Sequence, residues 1–423
     1  RNDWKYTGPS EQLLGGVSDI CLMYHGTKFS YNEEELLPYV AYLDKEGNIL
    51  DTMFDGFLFL LSGDFPSGNA GHQGSKMSDW EWLLKDLFAE ETNLDALDKV
   101  VGRVNEALGT PGRKVVVYPT LYYLRPTVTA FGDVDGDGVN ENMSVLADRL
   151  KVFKWYLDAF DAQWAEAGFE NLTLGGYYWY HEEISNNEND PDEANMIKGA
   201  AALLHERGTQ FFWIPWYSAP GYTKWASFGF DVACMQPNYA FDAGVPETRL
   251  DMATALIQSL GMCLEMEIDD KALGSPVYYD KYMDYLKHGV TDGYMKEAIH
   301  MYYQGRTIFL SAYQSNSEKI HAIYDYTYLF IKKKLPEKPA GLEDQTVEGT
   351  AGSPVSGNLP ESSSVRKYQI YNSPEHGTVT INENGSFVYY PDPGFTGTDS
   401  FLYSYSDRLF YSDGCRMTIR IGE

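Results

Sequence analysis

Eight short apolar runs, separated by longer stretches of helical period, constrain this chain more than any other feature. The runs are 19–24 (DICLMY), 54–61 (FDGFLFLL), 114–121 (KVVVYPTL), 172–180 (LTLGGYYWY), 210–216 (QFFWIPW), 231–236 (DVACMQ), 261–268 (GMCLEMEI) and 306–312 (RTIFLSA). They are continuous rather than alternating, which is how parallel strands read when both faces are covered. Between them, Leu146, Leu150, Phe153, Leu157, Phe160 and Trp164 step by four and three along one helical stripe. Ile320, Ile323, Tyr324, Thr327, Tyr328 and Ile331 repeat the pattern in the last helix. Ser78 ahead of Asp79-Trp80-Glu81 reads as the capped start of a long second helix. Strand then helix, eight times over, predicts an α/β fold of the (β/α)8 TIM-barrel type. A doubly wound open sheet is the alternative, weakened because no Gly-rich dinucleotide fingerprint follows the first run.

After Lys334-Leu335-Pro336 the texture changes, which places a barrel domain over 1–336 and a second domain over 337–423. Residues 336–364 are rich in Pro, Gly, Ser and Glu without periodic apolar residues, and read as a linker. From Tyr368 onward, alternating stretches at 378–381, 386–390, 400–405 and 416–421 are separated by turn residues such as Asn384-Gly385, as in a small antiparallel all-β sandwich. His376-Gly377-Thr378-Val379, Asn384-Gly385-Ser386-Phe387, Tyr390-Pro391, the stretch Gly394-Phe395-Thr396-Gly397-Thr398-Asp399-Ser400-Phe401, Tyr403 and Ser406-Asp407 carry a resemblance to the cadherin-like, bacterial Ig-like tandem repeat. The resemblance implies an extracytoplasmic protein, secreted, periplasmic or on the cell surface, in which this module is a spacer or contacts other cell-surface proteins. The chain starts at Arg1-Asn2-Asp3, so the expectation is that any signal region has been removed or trimmed away.

Charge narrows the function classes. Against 33 basic residues stand 61 acidic ones, a net charge of −28, which repels phosphate backbones and anionic lipid heads. No run approaches the length of a membrane helix. Nucleic acid and membrane are therefore not expected as partners. Tyr, Phe and Trp make up 15% of the chain, and aromatic faces with polar edges suit sugar-stacking clefts. Cys21, Cys234, Cys263 and Cys415 show no paired spacing and read as buried thiols rather than a disulfide framework.

In a barrel, chemistry is built where strands end. The fourth run ends Trp179-Tyr180-His181-Glu182-Glu183, and the seventh holds Glu265 and Glu267 opposite in parity to Leu264, Met266 and Ile268. Two carboxylates on one inward face are costly unless paired with cations or used. Glycoside hydrolysis uses such carboxyls, one protonated and one ionised, flanking the bond. Many barrel glycosidases carry the acid after strand four and the nucleophile on strand seven, and His181-Glu182 resembles the polar residue plus Glu found there. That resemblance implies a retaining hydrolase acting on a poly- or oligosaccharide, with Glu182 as acid/base and Glu267 or Glu265 as nucleophile. Glu267, nearer the strand end, lies where substrate would sit, and Glu265 deeper. Strict alternation instead turns Tyr177, Trp179, His181 and Glu183 inward, unless a bulge at the strand end reverses it, so Glu183 is the substitute.

Substrate-binding candidates are His25, Tyr122, Trp179, His181, Trp216, Tyr217, Gln236, Asn238, Tyr239 and Tyr313, each at or after a strand end. Taken singly, each reads equally as rim packing, and their convergence is what points to a sugar cleft. The rival reading is a non-catalytic glycan-binding or scaffold protein on a degenerate barrel. His25, His72 and His181 lack metal-ligand spacing, and no GxSxG elbow is present. The sharpest local motif is Asp133-Val134-Asp135-Gly136-Asp137-Gly138-Val139-Asn140-Glu141. Asp133, Asp135 and Asp137, the Val139 carbonyl and Glu141 supply oxygens at alternate positions, as a structural Ca2+ requires; a bare acidic turn is the alternative. No organic cofactor is expected. Finally, residues 1 to about 336 resemble the secreted barrel family of domain-of-unknown-function 4855, through Gly175-Gly176-Tyr177-Tyr178-Trp179, Glu182 and the acidic loop 131–142. That resemblance implies the fold and leaves the reaction open.

Overall fold

The computed structural model describes residues 3–71, 73–335, 343–359, 367–382, 384–406 and 414–423. His72, Pro336, the far end of the expected linker and Asp407 lie outside them. The chain divides into two units, Arg1–Lys334 and Leu335–Glu423.

In the first unit, parallel strands form a closed ring. They run Asp19–His25, Gly56–Leu61, Val115–Tyr118 resuming at Thr120–Leu121, and Leu172–Leu174 resuming at Tyr177–Trp179. Phe211–Trp213, Val232–Met235, Cys263–Glu267 and His300–Tyr303 complete the set. Each pairs with the next, and the eighth returns to the first through Asp19 opposite His300. Helices cover the outside, among them Met77–Leu87, Asn93–Leu108, Leu146–Ala167, Glu193–Glu206, Thr248–Leu260 and Pro276–Thr291. The fifth connection departs from the repeat and carries the 3-10 helix Tyr222–Phe228 between Gly221 and Gly229. Inside, Leu22, Leu58, Tyr118, Phe212, Val232 and Met301 form the core. The segment before the first strand closes the amino-terminal end: Leu14 is fully buried there, and its carbonyl accepts from Tyr118.

Several expectations are corrected. The run 306–312 is not the eighth strand; residues Ile308–Gln314 are helical and the strand is His300–Tyr303. Its polar first residue hid it: His300 is buried because Asp19 and the Tyr294 carbonyl satisfy both ring nitrogens. Ser78 does not cap the second helix. Asp79 does so from inside the first turn, accepting from the Lys76 N–H at 2.9 Å. Cys234 and Cys263 are not separate thiols, for they sit opposite each other on neighbouring strands and are joined as a disulfide. No sequence spacing reports a pair made by strand register. Cys21 remains a buried thiol.

The break in strand four decides which way its end residues face. A Cβ on Gly175 would lie 2.3 Å from Val116 Cγ1 and 2.6 Å from Tyr118 Cε1, and Gly176 has φ 152°. Glycine is needed at this close approach, and the irregularity shifts the alternation by one residue. Tyr178 consequently joins the barrel core. Tyr177 and Trp179 turn outward onto Phe160 and Phe153 of the helix Leu146–Ala167, with ring centroids 5.7 and 6.1 Å apart. The reversal expected at the strand end thus happens in its middle.

The second unit holds two sheets among its described residues. One orders Gln345–Thr350, Cys415–Gly422, Gly397–Ser406 and Lys367–Asn372; the other orders Val355–Asn358, Ser386–Pro391 and Gly377–Ile381. Phe387, Tyr389, Phe401, Tyr403, Met417 and Ile419 pack between them. Two features depart from the expected antiparallel sandwich after a linker. Gln345–Thr350 and Val355–Asn358 are strands inside the stretch read as linker, and the first pairs in parallel with Cys415–Gly422. Their largely polar sequences, QTVEGT and VSGN, carry no apolar period from which to read them. Among the described residues, no helix is long and apolar enough to cross a membrane.

Candidate active site

The carboxyl ends of the strands surround a cavity of about 320 Å³, lined by residues that include Tyr24, Tyr178, Glu182, Gln236, Glu265 and Tyr303. Glu182 enters from the loop after strand four and Glu265 from within strand seven, so two non-adjacent segments bring carboxyls to one space. A neighbouring cavity of about 500 Å³ is lined by Glu182 again, with Glu183, His181, Tyr180, Arg125 and Trp216. Aromatic walls are fixed by edge contacts, Tyr24 on Tyr303 at 5.9 Å and Phe241 on Tyr303 at 5.3 Å.

Electrostatics distinguishes the acids. Burial raises the Glu265 carboxyl well above the usual range, and the charges that add to this are the neighbouring carboxylates Glu267 and Glu182. Glu182 remains open to solvent. The protein crowding around it still raises its carboxyl, against the Gln236 amide that donates to it and the His181 imidazole nearby. Gln236 is itself held by its Nε2 donating to the Ile214 carbonyl at 3.0 Å.

Glu267 is placed differently from the sequence expectation. It does not line the cavity. It is fully buried, accepting from the Asn238 N–H at 2.8 Å and from the Tyr285 hydroxyl, while Oε1 has no hydrogen-bond partner among the described residues. Strand seven therefore presents Glu265, not Glu267, to the cavity: the loop after strand six folds over the strand end and its N–H groups take the outer carboxylate. Burial pushes the Glu267 carboxyl up to about 8, against the Tyr285 hydroxyl and the Asn238 and Tyr239 N–H groups. A carboxyl raised on folding binds its proton more tightly in the native state, so its contribution to stability is present at low pH and lost as pH rises from about 4.5 towards 8. Glu267→Gln is expected to flatten that decline; unfolding midpoints at both ends of the window check it, and an unchanged slope rejects the assignment.

The other candidates sort by position. His181 and Trp216 line the larger cavity, and Gln236 and Asn238 the smaller. His181 lies flat on Tyr123, centroids 4.7 Å apart, with Nδ1 3.3 Å from Glu193 Oε1. His25, Tyr122, Trp179, Tyr217, Tyr239 and Tyr313 do not line these cavities. His25 is buried with Nδ1 2.7 Å from Asp86, and Trp179 is sealed under the helix layer. The Tyr122 hydroxyl accepts from the Leu61 N–H at 2.8 Å, and Tyr239 donates to Asp284 at 2.7 Å. Arg249 stacks over Tyr217 at 4.3 Å, and the Tyr313 hydroxyl points back to the Asp44 carbonyl. Sequence reasoning missed Tyr178 and Tyr180 as lining residues, hidden by the parity shift on strand four, Tyr303, hidden by the misplaced eighth strand, and Phe241, which the loop after strand six brings against Tyr303.

In the acidic loop, Asp133, Asp135 and Asp137 bring oxygens within 4.8 Å of one another. Glu141 is buried and accepts from the Val134 N–H at 2.8 Å, while Val139 is exposed. The Lys151 ammonium lies 2.8 Å from Asp135 and 3.5 Å from Glu141.

A model described as "Domain of unknown function (DUF4855)" matches residues 19–329, most of the chain. The chain belongs to that family. Behind the DUF4855 barrel, a model described as "Bacterial Ig domain" matches residues 337–419. No curated protein matches the chain. Among solved structures, chitinase ChiW from Paenibacillus sp. strain FPU-7, a bacterial cell-surface-expressed multi-modular enzyme, aligns at 11% identity and TM-score 0.40. That alignment covers 95% of this chain and 42% of the chitinase. The endo-fucoidan hydrolase MfFcnA9 of glycoside hydrolase family 107 aligns at 10% identity and TM-score 0.34, covering 96% of this chain and 80% of that one.

Proposed function

We propose that the DUF4855 barrel hydrolyses glycosidic bonds with Glu182 and Glu265 as its carboxyl pair. The observation that carries this reading is that both line one cavity at the barrel mouth, and that the charges gathered on Glu265 are carboxylates rather than the lysines or arginines of a structural ion pair. Burial raises both carboxyls and the Glu182 charge further opposes ionisation of Glu265, so the pair favours keeping a proton; catalysis uses the form in which Glu182 carries it and Glu265 is ionised. Glu182, which solvent reaches, exchanges the proton: it protonates the leaving oxygen as the C–O bond breaks. Glu265, on the cavity wall, attacks the anomeric carbon as carboxylate. Glu182 then takes a proton from the water that releases the glycosyl ester, giving net retention. Across a panel of glycans, Glu182→Gln is expected to slow hydrolysis by about 10²- to 10⁴-fold. Azide is expected to restore turnover and give a glycosyl azide of retained configuration. Undiminished hydrolysis by this variant overturns the reading, and rescue with inverted configuration exchanges the two roles.

For the acidic loop we propose a structural Ca2+, supported by the convergence of Asp133, Asp135 and Asp137. Glu141 would complete the oxygen set, with the ion taking the place of the Lys151 ammonium. Millimolar Ca2+ is expected to raise the melting temperature, and a chelator or Asp133→Ala to remove the rise. An identical melting curve with and without Ca2+ contradicts the site. The bacterial Ig domain supports an extracytoplasmic setting, where it would act as a spacer or contact other surface proteins.

A further inference from the structure

The carboxyl pair does not lie at the bottom of a pit. Its cavity shares Tyr24, Tyr178 and Glu182 with the larger cavity on one side. On the other side it shares Phe241 and Tyr303 with a third cavity, of about 370 Å³, whose lining includes Asp269, Asp270 and Arg306. Common walls set the three cavities side by side at the mouth of the barrel, with Glu182 and Glu265 lining the one between, an arrangement that can act as a single trough.

We infer that this trough holds a neutral polysaccharide chain running past both sides of the carboxyl pair, so that bonds are cut inside the polymer; the inference rests on the glycosidase reading above. An enzyme that trims chain ends needs a wall beyond the scissile bond. Here the middle cavity is adjoined by a further cavity along its Tyr24–Tyr178 wall and by another along its Phe241–Tyr303 wall. Each flank offers an aromatic surface for a sugar ring, Trp216 and Tyr180 on one side, Phe241 and Tyr303 on the other. Polar groups suited to hydroxyls accompany them. Asp269, which accepts from the Lys271 N–H at 2.9 Å, and the exposed Asp270 offer acceptors to sugar hydroxyls.

Charge selects a neutral polymer. Glu182, Glu183, Glu265, Asp269 and Asp270 line the trough against Arg125 and Arg306, in a chain of net charge −28. Arg306 is also engaged locally, with Nε donating to Ser62 Oγ at 2.8 Å and the guanidinium 5.7 Å over the Phe29 ring. A polyuronate or sulfated chain would meet repulsion along most of the trough.

The test uses the full chain carrying Glu182→Gln, titrated with neutral oligomers from disaccharide to octasaccharide (cello-, laminari-, xylo-, manno- and N-acetylglucosamine series), and with polygalacturonate and dextran sulfate. Affinity for one neutral series is expected to rise by about tenfold or more beyond the trisaccharide. Trp216→Ala on one flank and Tyr303→Ala on the other are each expected to cancel that rise; the exposed Asp270→Ala probes the second flank again without touching the core. Wild-type protein is expected to lower polymer viscosity well before reducing ends accumulate. Affinity that stays flat beyond the trisaccharide, loss through one flank alone, or preference for a polyanion overturns the inference. Cleavage that releases only mono- or disaccharides from one end overturns it while leaving the hydrolase intact. Length-dependent binding without cleavage by the wild type keeps the chain-binding trough and removes the hydrolase. Binding to none of these glycans overturns both.

Discussion

Glu265→Gln is expected to remove glycan hydrolysis by about 10³-fold or more while leaving the barrel at least as stable as the wild type. The two effects have one cause. Glu265 sits among carboxyls, where ionisation is opposed by burial and by the charges of Glu267 and Glu182. Structure does not gain from a charge in that place, because nothing of opposite sign compensates the desolvation it suffers. Glutamine keeps the volume and hydrogen-bonding capacity and cannot ionise, so it removes the nucleophile and the repulsion together. Since the native carboxyl is raised, the wild type loses stability as pH climbs above the unfolded value, and the advantage of Glu265→Gln should be largest on the alkaline side. Initial rates and urea midpoints, each measured at mildly acidic and mildly alkaline pH, read both effects. A variant that unfolds more easily yet still cleaves would mean that Glu265 is a structural group.

Arg149→Ala is expected to cost about 3–5 kcal/mol of stability, the largest structural loss we predict from a single side chain. Arg149 and Asp190 are both buried and meet in a bidentate pair at 2.9 Å for each nitrogen. The Tyr123 hydroxyl donates to the same carboxylate at 2.7 Å. Truncating the arginine strands Asp190 as an uncompensated buried charge. The damage reaches the site as well, because Tyr123 is the shelf on which His181 lies, one residue before Glu182. Replacing both partners with apolar residues, Arg149→Met with Asp190→Leu, is expected to recover most of the stability, since no charge is then left unpaired. Denaturant midpoints decide the matter. A loss below about 1 kcal/mol for Arg149→Ala would show the pair to be screened, as surface pairs are.

The barrel was legible because parallel strands covered on both faces leave continuous apolar runs, and the first seven runs coincide with strands. The eighth was misread where polarity and apolarity traded places. His300 belongs in a strand through hydrogen bonds to Asp19 and Tyr294 that no local pattern encodes, whereas the apolar Ile308–Gln314 packs as a helix. Tyr303 was lost from the candidate site with that strand, and Tyr313 was wrongly brought to it. On strand seven, alternation set Glu265 and Glu267 on the same face, but which of them meets the cavity depends on the loop bearing Asn238, a tertiary contact. On strand four the simple parity argument pointed to Glu183. The Gly175-Gly176 irregularity sets Tyr178 on the cavity side, and the two glycines were visible in the sequence as the signal for it; beyond the strand end both glutamates line the larger cavity, and Glu182 alone also lines the one that holds Glu265. The Cys234–Cys263 disulfide, formed across neighbouring strands, had no sequence signature at all.

Comparing hydrolysis by Glu182→Gln, by Glu265→Gln and by the chain carrying both changes most directly tests whether the two carboxyls work as a unit. Groups that share one proton and one transition state do not lose activity independently. The account predicts that the double variant is hardly slower than the worse of the two single ones. Losses that multiply, or a single variant that turns over at the wild-type rate, would contradict it.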